Sequence, residues 1–328
     1  MPVLGALRRL AMAPSLDDVS FAGRGFDVRP SARTRKLEAV PQAVVTGFEW
    51  AVEDRDLATT ERRLALVDPE VQGFAYEGAT MACAIRDVMG PKGHRTRDLL
   101  RGGGSRHIFL NYIGIGFAMA KLPRPLWKKL VPDLDEPEYY PAMNWLCVDG
   151  YGFDRAYFDT ARWVAGQRVD TPYAWEGDAD YFPRAFDQGV GRALWFIHGG
   201  HTGNVSAAVR AFAAHRHGDL WSGVGLAATF AGGTTAADRA ALRAEAGQEW
   251  DHLAQGSLFA AKARHHAGFV PEHSRAAVEA FTGLGVEAVA HLADDTAPGA
   301  AHTGPGPAYE VWRRNARERL RALAASPV

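Results

Sequence analysis

Tyr112-Ile113-Gly114-Ile115-Gly116-Phe117-Ala118 has an echo in Trp221-Ser222-Gly223-Val224-Gly225-Leu226-Ala227: an aromatic residue, a Gly-x-Gly and an apolar run. Outward from these two stretches the likeness continues. Glu77-Gly78 matches Gln188-Gly189, Thr46-Gly47 matches Asp149-Gly150, and Asp149-Gly150 matches Gln255-Gly256, with counterparts 103 to 111 residues apart. A spacing this constant predicts an internally duplicated chain. The expected organisation is an N-terminal arm (1–33), a first helical repeat (34–140), a second (141–245) and a partial third (246–293). A Pro/Gly-rich linker (294–307) and a C-terminal helix (308–328) follow. Units this small rarely bury an apolar face alone, so the two full rounds are expected to pack about a pseudo-twofold axis.

Hydrophobic periodicity sets the class. Apolar positions 37, 40, 44, 48, 51 and 52 fall on one helical face, as do Val190, Ala193, Leu194 and Ile197. Tyr309, Trp312, Ala316, Leu320 and Leu323 form a stripe on the last helix. Strict alternation is nearly absent, and only Arg106–Tyr112 reads as a short strand. The fold class is mainly α.

Composition narrows the partners. With 47% apolar and 23% charged residues among 328, and a formal net charge of −1, the chain is an ordinary globular sequence with nothing to attract nucleic acid. Cys83 and Cys147 sit in apolar runs and read as buried free thiols. The N-terminus lacks the apolar region and cleavage site of a secretory signal. The longest apolar stretches, Ile113–Ala120 and Val224–Ala231, fall well short of the roughly 20 residues that span a bilayer. A cytoplasmic protein without a membrane span is expected.

Helical glycine costs about 1 kcal/mol relative to alanine. Its recurrence at matched places therefore implies close helix approach, or room for a ligand against the backbone. If the helices cross there, the preceding side chains Thr46, Glu77, Asp149, Gln188 and Gln255 converge near the centre. Carboxylates among apolar neighbours have raised pKa values and can divide into acid and base, so Glu77 and Asp149 are the candidate catalytic pair. Gln188 and Gln255 would orient a substrate. Asp187, Arg192 and Arg264 are candidates for a polar terminus, set against pairing of the arginines with Asp187 or Asp219. Tyr112 and Trp221 would line a cavity suited to a flat or conjugated ligand. The competing reading is that the five glycine-adjacent residues only brace helices.

Other motifs carry less. The Gly-x-Gly runs resemble a dinucleotide fingerprint but lack alternating strands and helices. His198-Gly-Gly-His201 falls in a loop, and no HExxH or paired cysteines occur. Neither a metal site nor a cofactor is evident.

Five stretches, GFAYEGATMACAIRD (73–87), VDGYGFDRAYF (148–158), FDQGVGRALWF (186–196), DLWSGVGLAATFAGG (219–233) and AQGSLFAAKAR (254–264), carry a resemblance. Across about residues 20–320 the chain resembles the UnbL-type family of conserved proteins, whose genes lie beside iterative polyketide synthases in actinobacterial enediyne clusters. The resemblance brings no activity with it. It implies a pathway, the maturation of a linear polyene polyketide. On this view the protein is an isomerase- or cyclase-like enzyme acting on a polyene intermediate, with any redox step supplied by a partner protein or a metal. The alternatives are a non-catalytic carrier of the polyene and a scaffold for the polyketide synthase.

Overall fold

The computed structural model describes residues 5, 8–10, 12–90, 93–134, 142–299 and 305–325; parts of the expected arm, linker and C-terminus lie outside these. Among the described residues the chain is helical, with an isolated Trp175–Asp178 bridge in place of a sheet. The principal helices are α1 (Ala32–Glu53), α2 (Pro69–Met89), α3 (Ile108–Lys121), α4 (Leu146–Phe158), α5 (Phe182–Ile197), α6 (His217–Phe230), α7 (Trp250–His266) and α8 (Ala308–Ala325).

Local signals start these helices. The Ser31 hydroxyl accepts from the Thr34 amide at 3.1 Å to cap α1. At α2, Asp68 accepts from the Glu70 amide at 2.8 Å, and Pro69 occupies the first turn, where a missing N–H costs nothing. The run expected as a strand is a 3₁₀ turn, Ser105–His107, leading into α3. Its continuous apolar character reflects burial on every side, since every residue of α3 from Ile108 to Ala120 is buried.

Glycines join α1 to α7 into one series. A Cβ on Gly47 would lie 1.8 Å from the Ala75 carbonyl oxygen, and one on Gly78 would lie 1.8 Å from that of Val44. Gly116 and Gly150 make the reciprocal approach between α3 and α4; Gly152 and Gly189 do so between α4 and α5. Gly191 and Gly223 join α5 to α6, and Gly225 and Gly256 join α6 to α7. Two residues along a helix turn about 200°, so a Gly-x-Gly offers one bare patch to the helix before and another to the helix after. That is why α3, α4, α5 and α6 each carry the motif. These crossings run without a break over the expected boundaries at 140/141 and 245/246.

The series closes on itself. Arg264 of α7 donates to the Glu70 carbonyl of α2 at 2.9 Å and to the Phe230 carbonyl of α6 at 2.7 Å. Phe74 of α2 meets Phe230 edge-on, with centroids 5.2 Å apart. The residue before each first glycine, and those three and seven after it, then share one helical face. Those faces look inward. The apolar core is continuous through the whole series.

Candidate functional site

The closed series encloses a cavity of about 630 Å³ to which each of α1–α7 contributes side chains. The three-and-seven rule names many of them: Met81 and Ile85 from α2, Phe153 and Tyr157 from α4, Arg192 and Phe196 from α5. Met89 and Met12, 67% and 38% exposed, mark the opening, whereas Glu77 and Arg192 at 3% and 7% are buried. The N-terminal arm is therefore part of the site. Met12, Ala13 and Pro14 line the cavity, and Val19 accepts from the Tyr157 hydroxyl at 2.6 Å.

Glu77 is the buried acid of this wall. Its backbone is pinned by the bare face of Gly114, its side chain faces the cavity, and it makes no hydrogen bond or ion pair among the described residues. Burial pushes its carboxyl up to about 8, with Arg192 pulling it down and Asp149 raising it further. Desolvation without a partner is the simplest way to keep a carboxylic acid neutral near pH 7.

Asp149 is placed differently from the expected catalytic partner. It does not line the cavity and is fully buried behind Arg192, whose Nε lies 2.9 Å from Oδ1 as an ion pair without hydrogen-bond alignment. Gln188 donates to Oδ2 at 2.7 Å. Burial raises this carboxyl, while the guanidinium and the amide favour its charged form. The pair is thus one free acid and one braced carboxylate.

Behind Asp149 a polar chain fills the other end of the ring. Gln188 donates to the Tyr309 hydroxyl at 2.8 Å. The Ser222 hydroxyl donates to Gln255 at 3.0 Å, and Arg313 Nε donates to the same oxygen at 3.0 Å. Arg313, with no exposed surface, also donates to Asp219 at 2.8 Å. The C-terminal helix α8 therefore plugs the ring with charge. Sequence periodicity missed this because Arg313 sits within an aromatic stripe; its spacing from Tyr309 and Arg317 was the available signal.

Other expected site residues lie elsewhere. Gln188 and Gln255 belong to the plug network and do not line the cavity. Thr46 is half-buried and donates to the Gln42 carbonyl at 2.9 Å, because Val40, Val44 and Phe48 are among the α1 residues that face inward. Asp187 is held at 2.8 Å by Arg216 Nε, a pairing not foreseen for either arginine candidate. Arg264 pairs with carbonyls instead of Asp187 or Asp219, and its guanidinium carbon stacks 3.8 Å from the Phe230 centroid. Tyr112 and Trp221 are core residues outside the cavity wall.

His201 caps the helix Thr202–Ala211, accepting from the Asn204 amide at 3.3 Å. Among the described residues no group of three or more His, Cys, Asp or Glu side chains is gathered as for a metal ion. No single described helix is long and apolar enough to cross a membrane. Cys83 and Cys147 are buried and free.

Fold and site together define a class: an all-α protein whose glycine-joined helices surround an apolar chamber with one unpartnered acid in its wall. The chain belongs to the family described as "Protein of unknown function (DUF1702)", whose model matches residues 3–320. No curated protein and no solved structure matches it.

Proposed function

We propose that this protein is an enzyme that moves a proton within an apolar, conjugated substrate held in the ring. Glu77 is the proton donor and acceptor. The observation that carries this reading is an unpartnered carboxyl, pushed up to about 8, in a cavity of about 630 Å³ walled by aromatic rings. A group that ionises near the working pH can give a proton at one carbon and take one from another. The net result is isomerisation or cyclisation, with no reagent consumed. Arg192, held in place by Asp149, supplies the polar point against which such a substrate registers. Asp149 acts here as a positioning residue. The resemblance to proteins encoded beside enediyne polyketide synthases suggests the substrate class, a linear polyene-derived polyketide, and a place in that pathway.

Glu77→Gln keeps size and removes the titrating proton. It is expected to leave binding of a conjugated polyene, read from its fluorescence on titration, within about threefold. Product formation in the producing strain should fall by about 10²-fold or more, the scale of a lost general acid–base. If product survives while binding is retained, the chamber is a carrier rather than an active site.

A further inference from the structure

The cations around the cavity differ in how many of their donors are already used. At the opening, Lys121 has a side chain 44% exposed and lies 3.1 Å from Asp154 Oδ2. That cation is neutralised where a ligand enters. Arg264 borders a smaller neighbouring pocket, but both its terminal nitrogens are spent on the carbonyls of Glu70 and Phe230. Arg192 is the contrast. Its Nε lies 2.9 Å from Asp149 Oδ1, and its guanidinium carbon sits 4.9 Å from the Phe153 centroid. Neither of its terminal nitrogens has a hydrogen-bond partner among the described residues, although the side chain is 8% exposed and lines the cavity.

A buried guanidinium with two free forked donors is an incomplete arrangement. Its geometry matches the two oxygens of a carboxylate. Glu77 stands in the same wall, near enough that the guanidinium favours its charged form, although the two make no ion pair. Among the lining residues the cavity is otherwise almost wholly apolar between this point and the opening.

We infer that the ligand is a free carboxylic acid with a long apolar chain, bound head-first with its carboxylate on Arg192 and its tail toward Met89 and Met12. This rests on the proposed function and specifies its substrate class. The fork at Arg192 fixes the depth of the chain, and hence which carbons lie beside Glu77.

The test uses the full-length protein and two probes, cis-parinaric acid and its methyl ester, titrated by polyene fluorescence. The acid is expected to bind at least about tenfold more tightly than the ester, the scale of a charge-assisted pair. In Arg192→Met combined with Asp149→Asn, which removes both members of the ion pair, the ratio should fall to near one while the ester binds as before. Equal affinity for acid and ester in the natural protein overturns the inference and leaves the proposed function standing. So does a preference for the acid that survives the double substitution. Failure of both probes to bind overturns the inference and the proposed function together.

Discussion

Gly78→Ala is expected to destabilise the fold by about 3 kcal/mol or more, at the upper end of what one added methyl costs in a packed core. The added carbon would sit 1.8 Å from the Val44 carbonyl oxygen and 3.0 Å from the Phe48 amide nitrogen. Both are backbone atoms of a long helix, so a rotamer change cannot relieve the overlap. α1 and α2 must separate, and the reciprocal contact of Gly47 on Ala75 opens with them. Gly203 is the control. It lies in the helix Thr202–Ala211, exposed, and the nearest atom to an added Cβ is a carbon of the His201 ring at 3.5 Å. Gly203→Ala should raise stability by up to about 1 kcal/mol through helix propensity. Urea denaturation of both variants at one pH checks the pair. A Gly78→Ala loss below about 1 kcal/mol would show that the helices do not meet at their glycines.

The second large effect is electrostatic. Arg192→Met removes the cation beside a carboxylate that has no exposed surface. Breaking a buried pair from one side costs about 3–5 kcal/mol, because the remaining charge has lost both water and partner. Gln188 alone cannot compensate, since its amide is shared between Asp149 and the Tyr309 hydroxyl. Asp149→Asn in the same chain removes the stranded charge and keeps an oxygen for Gln188 to donate to. More than half of the lost stability should return. Denaturation of the single and double variants at pH 7 measures this. If the single variant loses less than about 1 kcal/mol, Asp149 is not held as a charged group by Arg192.

These two sites differ in how far sequence alone reaches. The glycine crossings were readable because each Gly-x-Gly is a local signal whose two bare faces follow from the 3.6-residue turn. The same period places Glu77, Asp149, Gln188 and Gln255 on inward faces, and the structure gathers all four around one interior. What periodicity does not hold is depth along the ring. Glu77 meets the cavity, while Gln188 and Gln255 meet Tyr309 and Arg313 of α8, a helix distant in sequence, and Asp149 is joined to it through Gln188. Thr46 departs because α1 begins the series: Gly47 serves α2, and the bulk facing the cavity comes from Val44 and Phe48. The apparent strand at Arg106–Tyr112 failed for a related reason, since a helix enclosed on every side has no polar face to reveal its period. The arm's contribution at Met12–Pro14 depends on docking across α4, which no local pattern encodes.

The ionisation state of Glu77 in the folded protein decides whether a neutral acid faces the ligand. Infrared difference spectra between the natural chain and Glu77→Gln isolate this carboxyl from Asp149, Asp154 and the other acids near the cavity. A protonated carboxyl is expected at pH 7, disappearing on raising the pH with a midpoint near 8, where burial places it. A carboxylate already ionised at pH 7, with its midpoint near the ordinary value of 4.5, would contradict it. The chamber would then be wet or Glu77 paired, and no neutral acid would face the ligand.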